Sequence, residues 1–336
     1  MEDRKEQCAD TASAPELSPA GKKALRKWNI QKWIFRGLAT VGILAVLLAV
    51  CTPLCVYLYG VNRMNRGEFL DAFDAFYWLD GYLDSRDKID ECHYRWGLVF
   101  MESGDYGIAK WHFEMSDQFR DSEALIDECN LHMYGEEKWN RIKSINVGDI
   151  YEMGTYEQDG ITENGPEPIQ WVVWKKEDHV FSLVSLRILD SMAFHTEGTA
   201  VEWRDITIRE WLIGEFYKSS FTDDEMDIIN KSIRGLFCPV TLPNEQLRNW
   251  TPNEEQLNNP NFDIEKWNTP TAYAVEKGLA LNKEGEGSWW AFNENFDSIT
   301  VCEIFPDGTH KDAENYLDAE YIGVRPMIRI NLAREE

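Results

Sequence analysis

The sequence predicts a multidomain membrane protein in which a single transmembrane helix is followed by all-α helical-hairpin repeats and then by an α+β domain. Three observations predict this order: an uncharged apolar run, a repeated helical pattern, and a change to strand-like alternation. We place a disordered basic tail at 1–33, the transmembrane helix at 34–60, two helical hairpins at 61–142 and the α+β domain at 145–333. The chain has 336 residues, enough for about two globular units.

The apolar run extends from Gly37 to Gly60 and contains no charged residue. A helix of this length, at roughly 1.5 Å per residue, crosses a hydrocarbon core about 30 Å thick. Pro53 lies late in the run, where a kink is tolerated. Residues 1–36 carry eight Lys/Arg against five Asp/Glu. The positive-inside rule therefore predicts a cytoplasmic N-terminus and extracytoplasmic C-terminal domains.

Two other interpretations of the apolar run stay open. A cleaved signal peptide would need a shorter apolar core and a small-residue exit, which the residues before Asn62 do not provide. A lipoprotein-type acceptor at Cys51 would follow Val50, a poor residue for that position. The transmembrane helix is the favoured interpretation.

The rest of the chain is strongly acidic. The formal net charge is −25, and residues 1–36 contribute +3, so residues 37–336 carry −28. Such a surface repels nucleic acid, and no nucleic-acid partner is predicted. The seven cysteines include no CxxC pair and no Cys/His cluster with metal spacing, so neither a metal nor a cofactor is predicted. We interpret His93, His112 and His132 as lining helix surfaces or partly buried edges.

A pattern with a period of 37 residues follows the apolar run. Equivalent positions include Gly67/Gly104, Phe69/Tyr106, Ala72/Ala109, Phe76/Phe113, Asp84/Asp121, Ser85/Ser122 and Cys92/Cys129. Apolar residues three and four apart predict a first helix, and the Asp-Ser pair predicts the cap of a second. The pattern resembles tetratricopeptide-like repeats over about residues 62–140. This resemblance implies a spacer and docking surface without naming a ligand.

Alternating apolar residues replace the helical period in the C-terminal half. The segment EPIQWVVWKKEDHVFSLVSLRIL predicts two strands joined by a polar turn, and residues 298–309 and 323–332 predict further strands. Capping boxes formed by Thr207 with Glu210 and by Thr222 with Glu225 predict helices between these strands. Helices inserted among antiparallel strands make an α+β domain.

A series of motifs in this half carries a resemblance to a family. The motifs are VGDIYEMGTYEQ, EPIQWVVWKKEDHVFSLVS, ITIREWLIGEFYKSSFTDDE, TPTAYAVEKG, SWW and GVRPMIRI. Over about residues 145–333 the series resembles a bacterial domain-of-unknown-function family. The resemblance implies a bacterial surface protein with a C-type-lectin-like or formylglycine-generating-enzyme-like fold, whose last strand often carries a Gly-x-Arg motif. One departure is that Ala291-Phe292 stands where the family usually has Leu-Arg after Trp-Trp.

Four residues are the candidates for ligand binding. Trp250, Trp289 and Trp290 stand in polar, loop-like contexts, where exposed aromatic rings stack on sugars or peptides. Arg325 is a candidate for binding an acidic ligand or for an internal pair. Cys238 and Cys302 lack the Trp/Arg-rich setting of a formylglycine-generating copper site, and no GxSxG, HExxH, Walker or Rossmann motif occurs, so no catalytic residue is predicted.

The predicted function is therefore binding. We expect a membrane-anchored extracytoplasmic protein of the bacterial cell envelope whose distal domain recognises a glycan or a protein. An uncharacterised envelope enzyme, acting as a hydrolase or modifying enzyme, and a structural subunit of an envelope assembly are the alternatives. A buried cluster of perturbed carboxylates would favour the enzyme, and a large exposed apolar patch on the hairpins would favour the assembly.

Overall fold

The chain divides into two units, one ending at Met133 and the other beginning at Tyr134. A computed structural model describes residues 18–197, 202–229, 232–233, 236–243, 252, 254–262, 264–295 and 298–334. Residues 1–17 of the predicted tail and the candidate Trp250 lie outside these ranges. The units are called unit 1 and unit 2 below.

Helix α1 (Pro19–Asn65) opens unit 1 and is continuous through the apolar run, with Pro53 inside it. Residues 19–33, expected to belong to a disordered tail, are helical instead. Within α1, the stretch Arg26–Asn65 is long and apolar enough to cross a membrane, a property that a signal sequence near an N-terminus shares. Its length and composition are compatible with the predicted span.

Two helical hairpins follow, as the repeat predicts. The first consists of α2 (Phe69–Trp78) and α3 (Ser85–Ser103), and the second of α4 (Tyr106–Glu114) and α5 (Ser122–Tyr134). Ala72 and Ala109, which occupy equivalent repeat positions, are fully buried in α2 and α4.

The repeat also extends into the end of α1, which the sequence alignment starting at Gly67 missed. Four further pairs of identical residues lie 37 positions apart: Cys55/Cys92, Tyr57/Tyr94, Gly60/Gly97 and Met64/Met101. The two tyrosines make equivalent hydrogen bonds. The Tyr57 hydroxyl of α1 donates to Asp84 Oδ1, just before α3, and the Tyr94 hydroxyl of α3 donates to Asp121 Oδ1, just before α5, both at 2.6 Å. The last turns of α1 therefore pack against the first hairpin as α3 packs against the second.

Two five-stranded sheets organise unit 2. The first has the order β1-β2-β3-β12-β7 and is antiparallel, and the second has the order β10-β9-β8-β11-β4 with one parallel pairing between β8 and β11. The strands are β1 (Ile150–Tyr156), β2 (Glu167–Glu177), β3 (Val180–Ser185), β4 (Asp190–Ser191), β5 (Ser232–Ile233), β6 (Leu236–Phe237), β7 (Val240–Thr241), β8 (Trp289–Asn295), β9 (Ser298–Ile304), β10 (His310–Asp312), β11 (Gly323–Val324) and β12 (Met327–Asn331). Strands β5 and β6 form a separate pair.

Short helices lie between the strands of unit 2. They are α6 (Glu136–Ser144), α7 (Thr207–Trp211), α8 (Tyr217–Ser220), α9 (Asp223–Ile228), α10 (Glu254–Asn258), α11 (Ile264–Trp267) and α12 (Ala272–Glu276), with a π-helical turn joining α7 to α8. The capping box of Thr222 and Glu225 is confirmed at α9. The one predicted at Thr207 is wrong, because Ile206 precedes α7 and the Thr207 hydroxyl bonds His195 Nδ1 at 3.0 Å instead. Helices with mostly antiparallel strands confirm the α+β class.

Helix α6 belongs to unit 2, although we assigned residues up to 142 to the hairpins. Trp139 and Ile142 on α6 are buried in the main core of unit 2. The ammonium group of Lys176 on β2 donates to three carbonyls at the end of α6, those of Ile142, Lys143 and Ile145, at 3.0, 3.3 and 2.8 Å. The unpaired carbonyls at a helix C-terminus attract a cation. Lys176 therefore connects the end of α6 to β2 through hydrogen bonds.

Candidate functional site

The two adjacent tryptophans proposed as ligand contacts lie in the core. Trp289 and Trp290 open β8 and are both 0% exposed. Trp290 Nε1 donates to the carbonyl of Met192 at 2.8 Å, and its ring packs edge-to-face against Phe194. Their polar neighbours suggested a loop, but both lie in a strand, where adjacent side chains face opposite sides of the sheet. Each side is covered, so Trp290 and Trp289 lie in two separate core clusters. Fully buried rings offer no face to a ligand.

Arg325 is also fully buried, which favours the internal role over ligand binding. Its guanidinium carbon lies 3.6 Å from the ring centre of Trp267 and 4.7 Å from that of Trp289. The Nη2 atom donates to the carbonyls of Ser185 and Leu186, each at 2.8 Å. Burial lowers the pKa of Arg325. The buried side chain therefore contacts the end of β3, the start of β8 and the end of α11.

A different set of residues carries the features expected of a site in unit 2. Asp190 is 3% exposed, and its carboxylate accepts from the Tyr156 hydroxyl and, at 2.6 Å, from the backbone N–H of Ser191. The ring of Tyr156 meets those of Tyr273 and Trp211 nearly edge-on, with centres 5.8 and 6.2 Å apart. All three rings are partly exposed. We call Tyr156, Asp190, Trp211 and Tyr273 the aromatic–carboxylate cluster.

Four separate segments position this cluster. Tyr156 ends β1, and Asp190 lies in β4, where it pairs with Val324 of β11. Trp211 ends α7, just before the π-helical turn. Tyr273 lies in the first turn of α12, whose start is fixed by the side chain of Thr271 accepting from the backbone of Ala274. No local pattern links these residues, so sequence reasoning missed them. The one signal was that Asp190 directly follows the largely apolar segment VFSLVSLRIL, which begins with β3.

The electrostatics of the cluster are set by burial. Burial raises the pKa of Asp190, while the hydrogen bonds from Tyr156 and Ser191 and the charge of Lys277 oppose that change. Burial, followed by the nearby Asp190 charge, also raises the pKa of Tyr156. A desolvated carboxylate behind partly exposed aromatic rings is typical of a functional site. The exposed parts of the rings offer packing surface to an apolar ligand face, and the tyrosine hydroxyls offer hydrogen bonds to ligand hydroxyls. The buried Asp190 orients the Tyr156 hydroxyl from behind.

Two groups of residues in the described parts of the chain resemble metal ligands. Ligand atoms of Glu157, Asp159 and Glu167 lie within 4.8 Å of one another. Their carboxylates already accept from the backbone N–H groups of Gly160, Ile161 and Gln158 at 2.7–2.8 Å, which accounts for their approach. Asp159 is exposed, and Glu157 and Glu167 are half-buried. The backbone hydrogen bonds of the connection between β1 and β2 therefore account for the cluster.

The second group is a histidine pair. The Nδ1 atoms of His93 and His112 lie 3.0 Å apart, and the two side chains are 6% and 3% exposed. Both are therefore buried, which corrects the expectation of surface or edge positions, while the exposed His132 stacks on Tyr106. Burial lowers the pKa of both paired rings, that of His112 to about 4, so both are neutral at pH 7. One neutral imidazole donating to the other accounts for the contact.

Unit 1 presents a second candidate surface. Ile108, Trp111 and Met115 occur at i, i+3 and i+7 along α4 and its end, and they are 48%, 50% and 50% exposed. We call them the α4 face. Trp111 also packs against His93 from the neighbouring hairpin, with ring centres 5.7 Å apart. Exposed aromatic and apolar side chains on one helix face mark surfaces for protein partners.

No protein-family model, curated protein or solved structure matches this chain.

Proposed function

We propose that the chain is a single-pass, membrane-anchored binding protein of the bacterial cell envelope. Its N-terminus lies in the cytoplasm, its hairpins resemble tetratricopeptide-like repeats, and unit 2 is a C-type-lectin-like domain. Unit 2 binds a hydroxyl-rich ligand, a glycan, at the aromatic–carboxylate cluster. The observation that carries this proposal is the buried Asp190 carboxylate beneath the partly exposed rings of Tyr156, Trp211 and Tyr273.

The donors and acceptors of the cluster suit a sugar. A carboxylate has about four acceptor positions, and Tyr156 and Ser191 use two of those on Asp190. The Tyr156 oxygen, which donates its proton to Asp190, still accepts. In the described part of the chain, the Tyr273 hydroxyl has no hydrogen-bond partner. Hydroxyl groups of a sugar both donate and accept, so they match this set, and the ring faces take its C–H groups.

A binding role is favoured over catalysis by the charges around Asp190. Glu215 raises the pKa of both Asp190 and Tyr156, and Lys277 lowers that of Asp190, so these are the charged groups that act on the centre. Glu215 and Lys277 are both exposed. An acid–base pair would need a second group held as firmly as Asp190.

The second candidate function is docking of a protein partner on the α4 face. It is favoured by the half-exposed side chains of Ile108, Trp111 and Met115. This function corresponds to the alternative of a structural subunit in an envelope assembly.

One experiment separates the two candidates. The full chain in detergent micelles is incubated with polysaccharide purified from the cell envelope, and retention is measured for wild type, Asp190→Asn and Tyr273→Ala. We expect each cluster variant to weaken binding at least about tenfold, the ratio that corresponds to about 1.4 kcal/mol. Tyr321→Ala is the matched control, because Tyr321 is an exposed tyrosine of unit 2 outside the cluster.

The outcomes point in different directions. Unchanged polysaccharide retention by both cluster variants would refute the glycan site. Binding of a purified envelope protein that is lost in Trp111→Ala and kept in the cluster variants would establish the α4 face as the working surface. Circular dichroism of each variant checks that the fold is retained.

A further inference from the structure

Large apolar side chains are exposed at the turn between α2 and α3. Tyr77, Trp78 and Leu83 are 70%, 62% and 62% exposed. The end of α1, against which α2 packs, also exposes Leu58 and Tyr59. Exposure of this extent places apolar surface in contact with whatever surrounds the turn.

The packing of the first hairpin determines which residues of α1 lie beside the turn between α2 and α3. Helix α2 returns along the end of α1, so that Phe76 lies against Gly60 and the ring of Tyr57, whose centre is 5.9 Å away. The Tyr57 hydroxyl donates to Asp84 at the start of α3. The turn therefore lies beside residues 57–60, within the uncharged run that ends at Gly60.

The position of the turn beside residues 57–60 limits how far the hydrocarbon core of the membrane can extend along α1. The turn carries Asp80 and Asp84, and Arg86 follows in the first turn of α3. A charge at the centre of a bilayer costs about 2.5–3.5 kcal/mol on insertion scales. The hydrocarbon core must then end before Tyr57. The helix between Arg36 and Tyr57 provides about 20 residues, which is the length that a core of about 30 Å requires. The turn consequently lies at the membrane–water interface, next to the emerging helix.

The two copies of the repeat differ at the positions concerned. At an offset of 37, Tyr77, Trp78 and Leu83 correspond to Glu114, Met115 and Arg120. The second hairpin thus has charged residues at two of the three positions. Tyr77, Trp78 and Leu83 therefore occur only in the first hairpin, which is the one that packs against α1. Tyr and Trp are enriched at membrane interfaces because their rings have an apolar body and a polar tip.

We infer that Tyr77, Trp78 and Leu83 form a membrane-contacting foot that rests in the interfacial region of the lipid bilayer and holds the first hairpin against it. This inference rests on the proposed membrane anchor. The partner is the lipid surface itself, since the foot continues the apolar surface of α1 where that helix leaves the hydrocarbon core. The first hairpin then contacts the membrane surface, and this contact restricts the motion of the hairpins relative to the membrane-spanning part of α1.

Photo-crosslinking in a defined bilayer tests the foot. The full chain is reconstituted into phosphatidylcholine nanodiscs with a photoreactive residue at one position, as Trp78→p-benzoylphenylalanine or Leu83→p-benzoylphenylalanine. Met115→p-benzoylphenylalanine is the matched control, because Met115 is the repeat equivalent of Trp78 and is 50% exposed. We expect phospholipid adducts at positions 78 and 83 in at least several-fold higher yield than at position 115.

Other outcomes overturn the inference. Equal lipid yields at positions 78, 83 and 115, an absence of lipid adducts at 78 and 83, or adducts there to protein alone would each show that the foot does not rest on lipid. Alkaline carbonate extraction of cell membranes carrying the wild-type chain distinguishes the two levels of failure. Release of the chain by carbonate would refute the anchor and the foot together, whereas retention without adducts would refute the foot alone.

Discussion

Arg325 shows at the scale of one residue how a buried charge supports unit 2. We expect Arg325→Ala to lower the free energy of unfolding by about 3 kcal/mol. The substitution leaves a cavity between Trp267 and Trp289 and removes the donors to Ser185 and Leu186. Urea unfolding followed by tryptophan fluorescence measures the change.

Arg329→Ala is the control, because Arg329 is 38% exposed and forms an ion pair with Glu177. Such pairs contribute between about 0 and 1 kcal/mol. An equal loss of unfolding free energy in the two variants would contradict the prediction. It would mean that the cost of burying the Arg325 guanidinium offsets the energy of its contacts.

The His93–His112 pair predicts a dependence of stability on pH. In the unfolded chain an imidazole binds a proton near pH 6.5, whereas the pKa of folded His112 is about 4 because of burial and the neighbouring His93. Between these values the unfolded state binds more protons, so stability is fully present above about pH 6.5 and falls as the pH drops toward 4. The expected loss is roughly 1–3 kcal/mol, since one pKa unit corresponds to about 1.4 kcal/mol.

His112→Phe tests this prediction, because a phenyl ring fits among Trp96, Phe100 and Trp111. Urea unfolding at pH 7 and pH 4.5 should show a smaller acid-induced loss in the variant than in wild type. An identical loss would mean that other groups account for the acid sensitivity.

At the scale of an element, Lys176 determines how α6 is held. We expect Lys176→Met to destabilise unit 2 by about 1–2 kcal/mol, because three carbonyls at the end of α6 lose their common donor. Lys175→Met is the neighbouring control, because Lys175 is 60% exposed and forms an ion pair with Glu177. Thermal unfolding of both variants makes the comparison, and equal shifts in Tm would contradict the capping role.

The contact between the hairpins depends on glycine at one position. A methyl group at Gly97 would lie 2.7 Å from Phe113 Cε1, whereas at Gly107 the nearest atom would be Met133 Sδ at 3.8 Å. We expect Gly97→Ala to cost about 1–3 kcal/mol by overpacking. Gly107→Ala should be neutral or stabilise by up to about 1 kcal/mol through helix propensity. Unfolding of the two variants in urea checks this, and similar midpoints would show that Phe113 moves aside.

At the scale of the whole molecule, the charge asymmetry around α1 predicts its orientation. The basic residues before the apolar run favour the cytoplasmic side, so we expect external protease added to intact cells to cleave the chain after residue 61. An epitope tag at the N-terminus should become accessible only after permeabilisation. Protection of residues 61–336 in intact cells would contradict the proposed topology.

Features that depend on residues close together in the chain could be predicted from the sequence. The helical period and its repeat predict the hairpins, continuous apolarity predicts α1 as a candidate span, and alternation around Lys175–Asp178 predicts β2 and β3. Each is a property of residues a few positions apart, where helix and strand geometry act directly. The identity of Tyr57 with Tyr94 and of Gly60 with Gly97 was also available from the sequence.

Which side chains are buried, and which of them are in contact, depends on packing between segments that are distant in the chain. Polar neighbours suggested exposure of Trp289 and Trp290, but packing on both faces of the sheet buries them in two separate core clusters. Asp190 reaches Tyr156 across 34 residues, and His93 reaches His112 across 19 residues. Burial is a property of the packed whole, because it depends on every segment that covers a side chain. The candidate site, unlike the hairpins, therefore could not be predicted from local pattern.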